Sequence, residues 1–127
     1  MAITPFADSP RNGGLGDRPY AIIDLAGPSS YTQVTPATAN TSGVPTGGQP
    51  VTPATFGLSS TLEYIGTSVG SSTGNYYVVA VQTTSYNQGY GNTTWTLQWM
   101  VASTGAQVAG GTNLSNELVR LIAFGPY

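Results

Sequence analysis

Histidine, cysteine and lysine occur nowhere in this 127-residue chain. Each absence removes a piece of chemistry. Without cysteine there is no thiol nucleophile and no disulfide scaffold; without histidine there is no imidazole base. A Schiff-base lysine and a His/Cys zinc site lack their atoms as well. Charge is equally scarce: three arginines (Arg11, Arg18, Arg120) stand against five acids (Asp8, Asp17, Asp24, Glu63, Glu117), for a net charge of -2. Three cations neutralise few phosphates, which excludes nucleic-acid binding as a main role. A net charge this small draws no basic partner by field alone. Long apolar runs are missing too. The longest, Tyr76 to Val81, is far short of the roughly 20 residues of a membrane helix. The opening Met1–Pro10 has neither the basic nor the apolar region of a signal peptide. The expectation is a protein with no membrane segment, no cofactor and no signal peptide.

What is present is polar but uncharged. Glycine numbers 17 and proline 9, with 39% apolar residues, eight tyrosines and two tryptophans. Disordered chains usually pair low hydrophobicity with high net charge, and here the charge is absent. A 13.1 kDa chain is one domain's worth of sequence, enough for one modest core. Thr, Tyr, Val and Trp suit a pleated, half-buried surface, so the composition favours β structure.

Proline divides the chain. Eight of the nine prolines lie at or before Pro53, and residues 54–125 contain none. Only the second half can run long, uninterrupted ladders. Residues 1–19, with Pro5, Pro10, Pro19 and Gly13, Gly14 and Gly16, read as an extended N-terminal arm. It is either a loose terminus or an arm that orders on a neighbouring subunit by burying Ile3 and Phe6. The β domain then covers 20–127. Its first strand is expected at Tyr20–Leu25, with a short one at Ser30–Val34. Residues 35–55 read as a long Pro/Thr/Gly-rich loop in which Thr-Pro-Ala-Thr occurs twice, at 35–38 and 52–55.

Strands are expected at Ser60–Ile65, Asn75–Thr84 and Thr93–Ala102. In the last, Trp95, Leu97, Trp99 and Val101 alternate with Thr94, Thr96, Gln98 and Met100, the mark of a sheet with one buried face. Ser103-Thr104-Gly105 suits a hairpin turn, followed by a short strand at Ala106–Ala109. Glu117–Phe124 closes the chain as a strand, with Val119, Leu121 and Ala123 on one face and Leu118, Arg120, Ile122 and Phe124 on the other. A helix over Leu114–Phe124 fits the leucine spacing, but the β-branched content favours strand. The whole is expected to be all-β, a single small β-sandwich or barrel of about six to eight strands.

Few residues offer chemistry. Glu63 and Glu117, both on expected strands, are the one carboxylate pair that a hydrolase could use; solvated charges that discourage edge pairing explain them as well. Asp8, Asp17 and Asp24 do not match a calcium loop, so no metal site is expected. Asn12-Gly13-Gly14-Leu15-Gly16 has no lysine, strand or helix to make it a phosphate loop. The chain is read as no enzyme. Aromatics are the more informative feature: Tyr86, Tyr90 and Trp95 flank a Gly/Asn-rich loop and could stack on sugar rings, although the alternation assigns Trp95 and Trp99 to a core.

The run Val101-Ala-Ser-Thr-Gly-Ala-Gln-Val-Ala-Gly-Gly-Thr-Asn-Leu-Ser-Asn-Glu-Leu-Val-Arg-Leu-Ile-Ala-Phe-Gly-Pro-Tyr resembles the C-terminal ends of small structural proteins of tailed bacteriophages. Together with Pro19-Tyr20-Ala-Ile-Ile-Asp-Leu, the chain is similar to head decoration (cement) proteins over most of its length. It departs from many of them in having no lysine. The resemblance implies a β-rich domain on the virion, at the capsid exterior, made in the host cytoplasm. The implied partners are the major capsid protein and further copies of itself, as trimer or dimer. Ile3, Pro5 and Phe6 in the arm and Phe124 and Tyr127 at the C-terminus are the expected capsid-interface residues. The alternatives are a carbohydrate-binding β-sandwich module on a phage particle or tail, using Tyr86, Tyr90 and Trp95, and a tail-tube or head-completion subunit.

Overall fold

Long strands form where no proline interrupts the run. The structure, a computed structural model, describes residues 3–5, 19–35, 46–58, 62–83 and 95–125. Among them are seven strands: β1 (Ile3–Pro5), β2 (Tyr20–Ala26), β3 (Gln49–Val51), β4 (Tyr64–Thr67), β5 (Tyr76–Gln82), β6 (Trp95–Val101) and β7 (Leu118–Phe124). A single 3-10 turn, Pro53–Phe56, is the one helical element of the described residues. The protein is all-β.

The strands divide between two antiparallel sheets, one in the order β1-β2-β7-β4 and the other β3-β6-β5. The longest pairing of the first sheet runs from Tyr20 opposite Phe124 to Ala26 opposite Leu118. Side chains alternate across a strand, so this register stacks Ala21, Ile23 and Leu25 beside Ala123, Leu121 and Val119, all buried. From the second sheet Val51, Val78, Trp95, Leu97 and Trp99 join the same core. Leu118–Phe124 is therefore strand, and its faces divide as the alternation predicts.

Polar groups sealed into this core are partnered, as burial demands. Trp99 Nε1 donates to Gln49 Oε1 (2.9 Å), and Gln49 Nε2 donates to the Ala26 carbonyl (2.8 Å). That chain of bonds crosses from one sheet to the other. The Trp99 N–H donates to the Tyr31 hydroxyl (3.0 Å), which donates to Gln107 Oε1 (2.8 Å). Burial pushes the Tyr31 hydroxyl up from the usual tyrosine range, partly offset by the bond from Trp99. Gly27 sits tightly against Leu114 and Trp99. A Cβ there would meet the Leu114 Cβ and carbonyl oxygen at 2.6 Å and the Trp99 ring at 3.0 Å.

Several expectations need correction. The segment 35–55 is not one loop, because Gln49–Val51 is a strand on the edge of the second sheet. Pro50 is tolerated there because an edge strand engages only one side of its backbone. The second Thr-Pro-Ala-Thr forms the 3-10 turn. The Thr55 N–H donates to the Thr52 carbonyl and Thr55 Oγ1 accepts from the Thr52 N–H, which brings Phe56 into the core. Thr35 makes an isolated bridge to Thr46, and the rest of the first copy lies outside the described residues. Ser30–Val34 is coil, held by the Tyr31 and Gln107 bonds and not by a ladder. Around Ala106–Ala109 there is one bridge, Met100 to Gln107, flanked by the Val101 N–H to Ala106 and Val108 N–H to Trp99 bonds. Of the strand expected at Ser60–Ile65, Ser60 and Thr61 lie outside the described residues, Leu62 and Glu63 are coil, and the strand runs over Tyr64–Thr67.

Candidate interaction surface

The face of the first sheet that points away from the core is also apolar. β2 and β7 alternate between two sets of apolar residues, so burying one set leaves the other at the surface. Register brings the second set into rows. Tyr20 lies opposite Phe124 and Phe124 opposite Tyr64. Their ring centroids are 6.2 and 5.9 Å apart, with the planes tilted by 42° and 39°, distances at which aromatic pairs attract. Tyr64 is 55% exposed. The next row is Ile22, Ile122 and Gly66. A Cβ on Gly66 would stand 3.0 Å from Ile122 Cγ2, so the glycine leaves a shallow groove between Tyr64, Ile22, Ile122 and Arg120.

A polar row closes the apolar one. Arg120 donates through Nε to Asp24 Oδ1 (2.7 Å) and through a terminal nitrogen to Oδ2 (2.9 Å). The two side chains face each other directly in register. The bidentate guanidinium holds the Asp24 carboxyl below its usual range, and Asp24 raises Arg120 in return. The surface thus runs from an aromatic row through an aliphatic one to a neutralised ion pair. Such a face can bind by apolar burial and present few charges to salt.

Of the expected interface residues, Phe124 is the centre of the aromatic row. Ile3 and Pro5 have their backbones in β1, opposite Leu25 and Ile23, on the edge of this same sheet. Pairing there satisfies the backbone groups that β2 would otherwise leave open. Phe6 and Tyr127 lie outside the described residues. Tyr20, Tyr64, Ile22 and Ile122 were not singled out from the sequence. Tyr20, Ile22 and Ile122 carried a local signal, since Tyr-Ala-Ile-Ile-Asp-Leu and Leu-Val-Arg-Leu-Ile-Ala-Phe are apolar on both faces, whereas Tyr64 lies in neither run.

The sugar-stacking set fares differently. Tyr86 and Tyr90 lie outside the described residues. Trp95 is only 7% exposed, and its Nε1 donates to the Leu62 carbonyl (3.1 Å), so it offers no ring face to a sugar. The tryptophans are core, as their alternation requires. The carboxylate pair is corrected too. Glu63 and Glu117 each precede a strand, and Glu117 is not solvated: it is 9% exposed. Its Oε1 accepts from Ser71 Oγ and Thr73 Oγ1, both at 2.7 Å, which pins the β4–β5 connection to the start of β7. Among the described residues no three acidic side chains gather as a metal site, and no helix is long and apolar enough to cross a membrane. No family model, no curated protein and no solved structure matches the chain.

Proposed function

We propose that this chain is a structural virion protein that binds the outer surface of a tailed-phage capsid and reinforces contacts between major capsid subunits. The observation that carries the reading is the apolar outer face of the first sheet, Tyr20–Phe124–Tyr64 backed by Ile22 and Ile122. Its sheet already covers the core with its other face. The two sheets around one core are read as a β-sandwich. A standard interface buries about 800 Å² per partner. A domain this small supplies that best by touching several neighbours, and self-association as trimer or dimer would multiply the contact.

Replacing Tyr64 or Ile122 by serine tests the face. Both side chains point outward, so the fold should persist while occupancy on capsids stripped of the protein falls at least tenfold. Unchanged occupancy would remove this face from the interface. A second reading, a glycan-binding surface, is favoured by the same row of exposed Tyr64 and half-buried Tyr20 and Phe124. Their mutual tilt of about 40° presents no single flat platform, which counts against it. A ligand-dependent change in tyrosine fluorescence, lost in Tyr64→Ser, would support that reading.

A further inference from the structure

Sheet edges are liabilities, and proteins usually blunt them with short strands, prolines, lysines or bulges. Among the described residues three of the four edges follow this rule. β1 and β3 are three residues long and contain Pro5 and Pro50, and β4 is four residues long and contains Gly66. The fourth edge does not. β5, Tyr-Tyr-Val-Val-Ala-Val-Gln, is seven residues long, with no proline, glycine or charge.

The backbone directions along β5 can be assigned. Trp99 uses its N–H on Tyr31 and its C=O on Val108, and Val101 uses its N–H on Ala106. Those positions of β6 turn away from β5. The ladder between the strands is therefore made by Thr96, Gln98 and Met100 with Val81, Val79 and Tyr77. Tyr76, Val78, Ala80 and Gln82 then direct their N–H and C=O groups to the open edge. The first half is engaged: Tyr76 exchanges bonds with Ser71, and the Val78 carbonyl accepts from Thr67 Oγ1 (3.3 Å). Ala80 and Gln82 have no such partners among the described residues.

We infer that this half-edge pairs with the same half-edge of a second copy, antiparallel, about a two-fold axis at Val81. The inference deepens the self-association part of the reading above by naming its surface. Ala80 would pair with Gln82 of the partner subunit, and Gln82 with Ala80 of the partner subunit, each pair exchanging two N–H···O bonds. The eight groups left open among the described residues are satisfied by four bonds, because a two-fold interface uses one patch twice. A charge near the axis would face its own copy, and β5 carries none. Val81 meets Val81 of the partner subunit in a non-hydrogen-bonded pair, and Val79, 42% exposed, lies beside it on the same face. The result joins two three-stranded sheets into one of six strands and makes dimers, not trimers. With only four bonds and a narrow contact, association should be reversible and concentration-dependent.

The chain's lack of cysteine makes the test direct. Facing residues of a non-hydrogen-bonded pair have Cα atoms about 4.5 Å apart, within disulfide reach. A thiol at Val79 would sit roughly 13 Å from its copy across the same axis, beyond reach. Under mild oxidation, full-length Val81→Cys should convert to a covalent dimer at least tenfold faster than Val79→Cys. The wild type should shift in sedimentation velocity from 13.1 kDa to twice that mass as concentration rises. Circular dichroism of the two variants checks that both are folded. Equal crosslinking of the two thiols overturns the proposal, as does a wild type that stays monomeric or forms trimers. Binding of the monomer to stripped capsids would separately leave the attachment reading intact.

Discussion

Gln49 and Trp99, fifty residues apart, share a buried hydrogen bond of 2.9 Å from the indole Nε1 to the amide oxygen. The other end of the same amide donates to Ala26 across the core. One side chain thus satisfies a donor from the second sheet and an acceptor from the first. Its removal should cost more than an average contact, because two buried polar groups lose their partner at once.

Gln49→Leu keeps the volume but strands both groups. The expected loss is about 2–4 kcal/mol, read as a lower urea midpoint with an unchanged slope. Trp99→Phe combined with Gln49→Leu should cost less than the two single changes summed, by about 0.5–3 kcal/mol. Strict additivity would mean that the bond is not a coupled one.

Glu117 is the second buried hub. Glu117→Ala should destabilise by about 1–3 kcal/mol, since the Ser71 and Thr73 hydroxyls lose their acceptor. The loss should be local as well: amide exchange at Ser72 and Gly74 should accelerate before that of β2 and β7. Uniform acceleration throughout both sheets would contradict the tether.

The Asp24–Arg120 pair predicts a direction with pH. Asp24 is held below its ordinary value of 3.8, so the folded state favours the charged carboxylate. Its contribution is complete above that value and is lost as pH falls through the lower, folded one. The wild type should exceed Asp24→Asn in stability near neutrality, and the difference should shrink as pH falls below 3.8 and through the lower, folded value. The amount is small because both side chains are open to solvent. A difference independent of pH would refute the assignment.

Attachment through an apolar face should resist salt. Occupancy on capsids is expected to change less than twofold between low salt and about 0.5 M, where charge interactions are largely screened. Release over that range would mean that charge contacts, and not the apolar rows, carry the attachment.

Much of this architecture was legible in the residues. Period-two alternation placed β2, β6 and β7 and divided their faces, because a seven-residue strand repeats its pattern often enough to be read. Gln49-Pro50-Val51 escaped that reading; three residues carry no period, and proline marks loops except at edges. The aromatic row was hidden for another reason. Tyr20, Tyr64 and Phe124 meet only through the register of β2 and β4 on β7, a non-local fact that no local spacing reports. Glu117 was read as solvated because its hydroxyl partners come from residues 44 and 46 positions away.

The central claim is attachment to the capsid exterior, and co-sedimentation tests it most directly. Purified protein is mixed with expanded heads of its own phage from which it has been stripped, and in parallel with unexpanded proheads. The account predicts saturable binding to expanded heads at a fixed ratio to the major capsid protein, and none to proheads. No binding to either head form would contradict it.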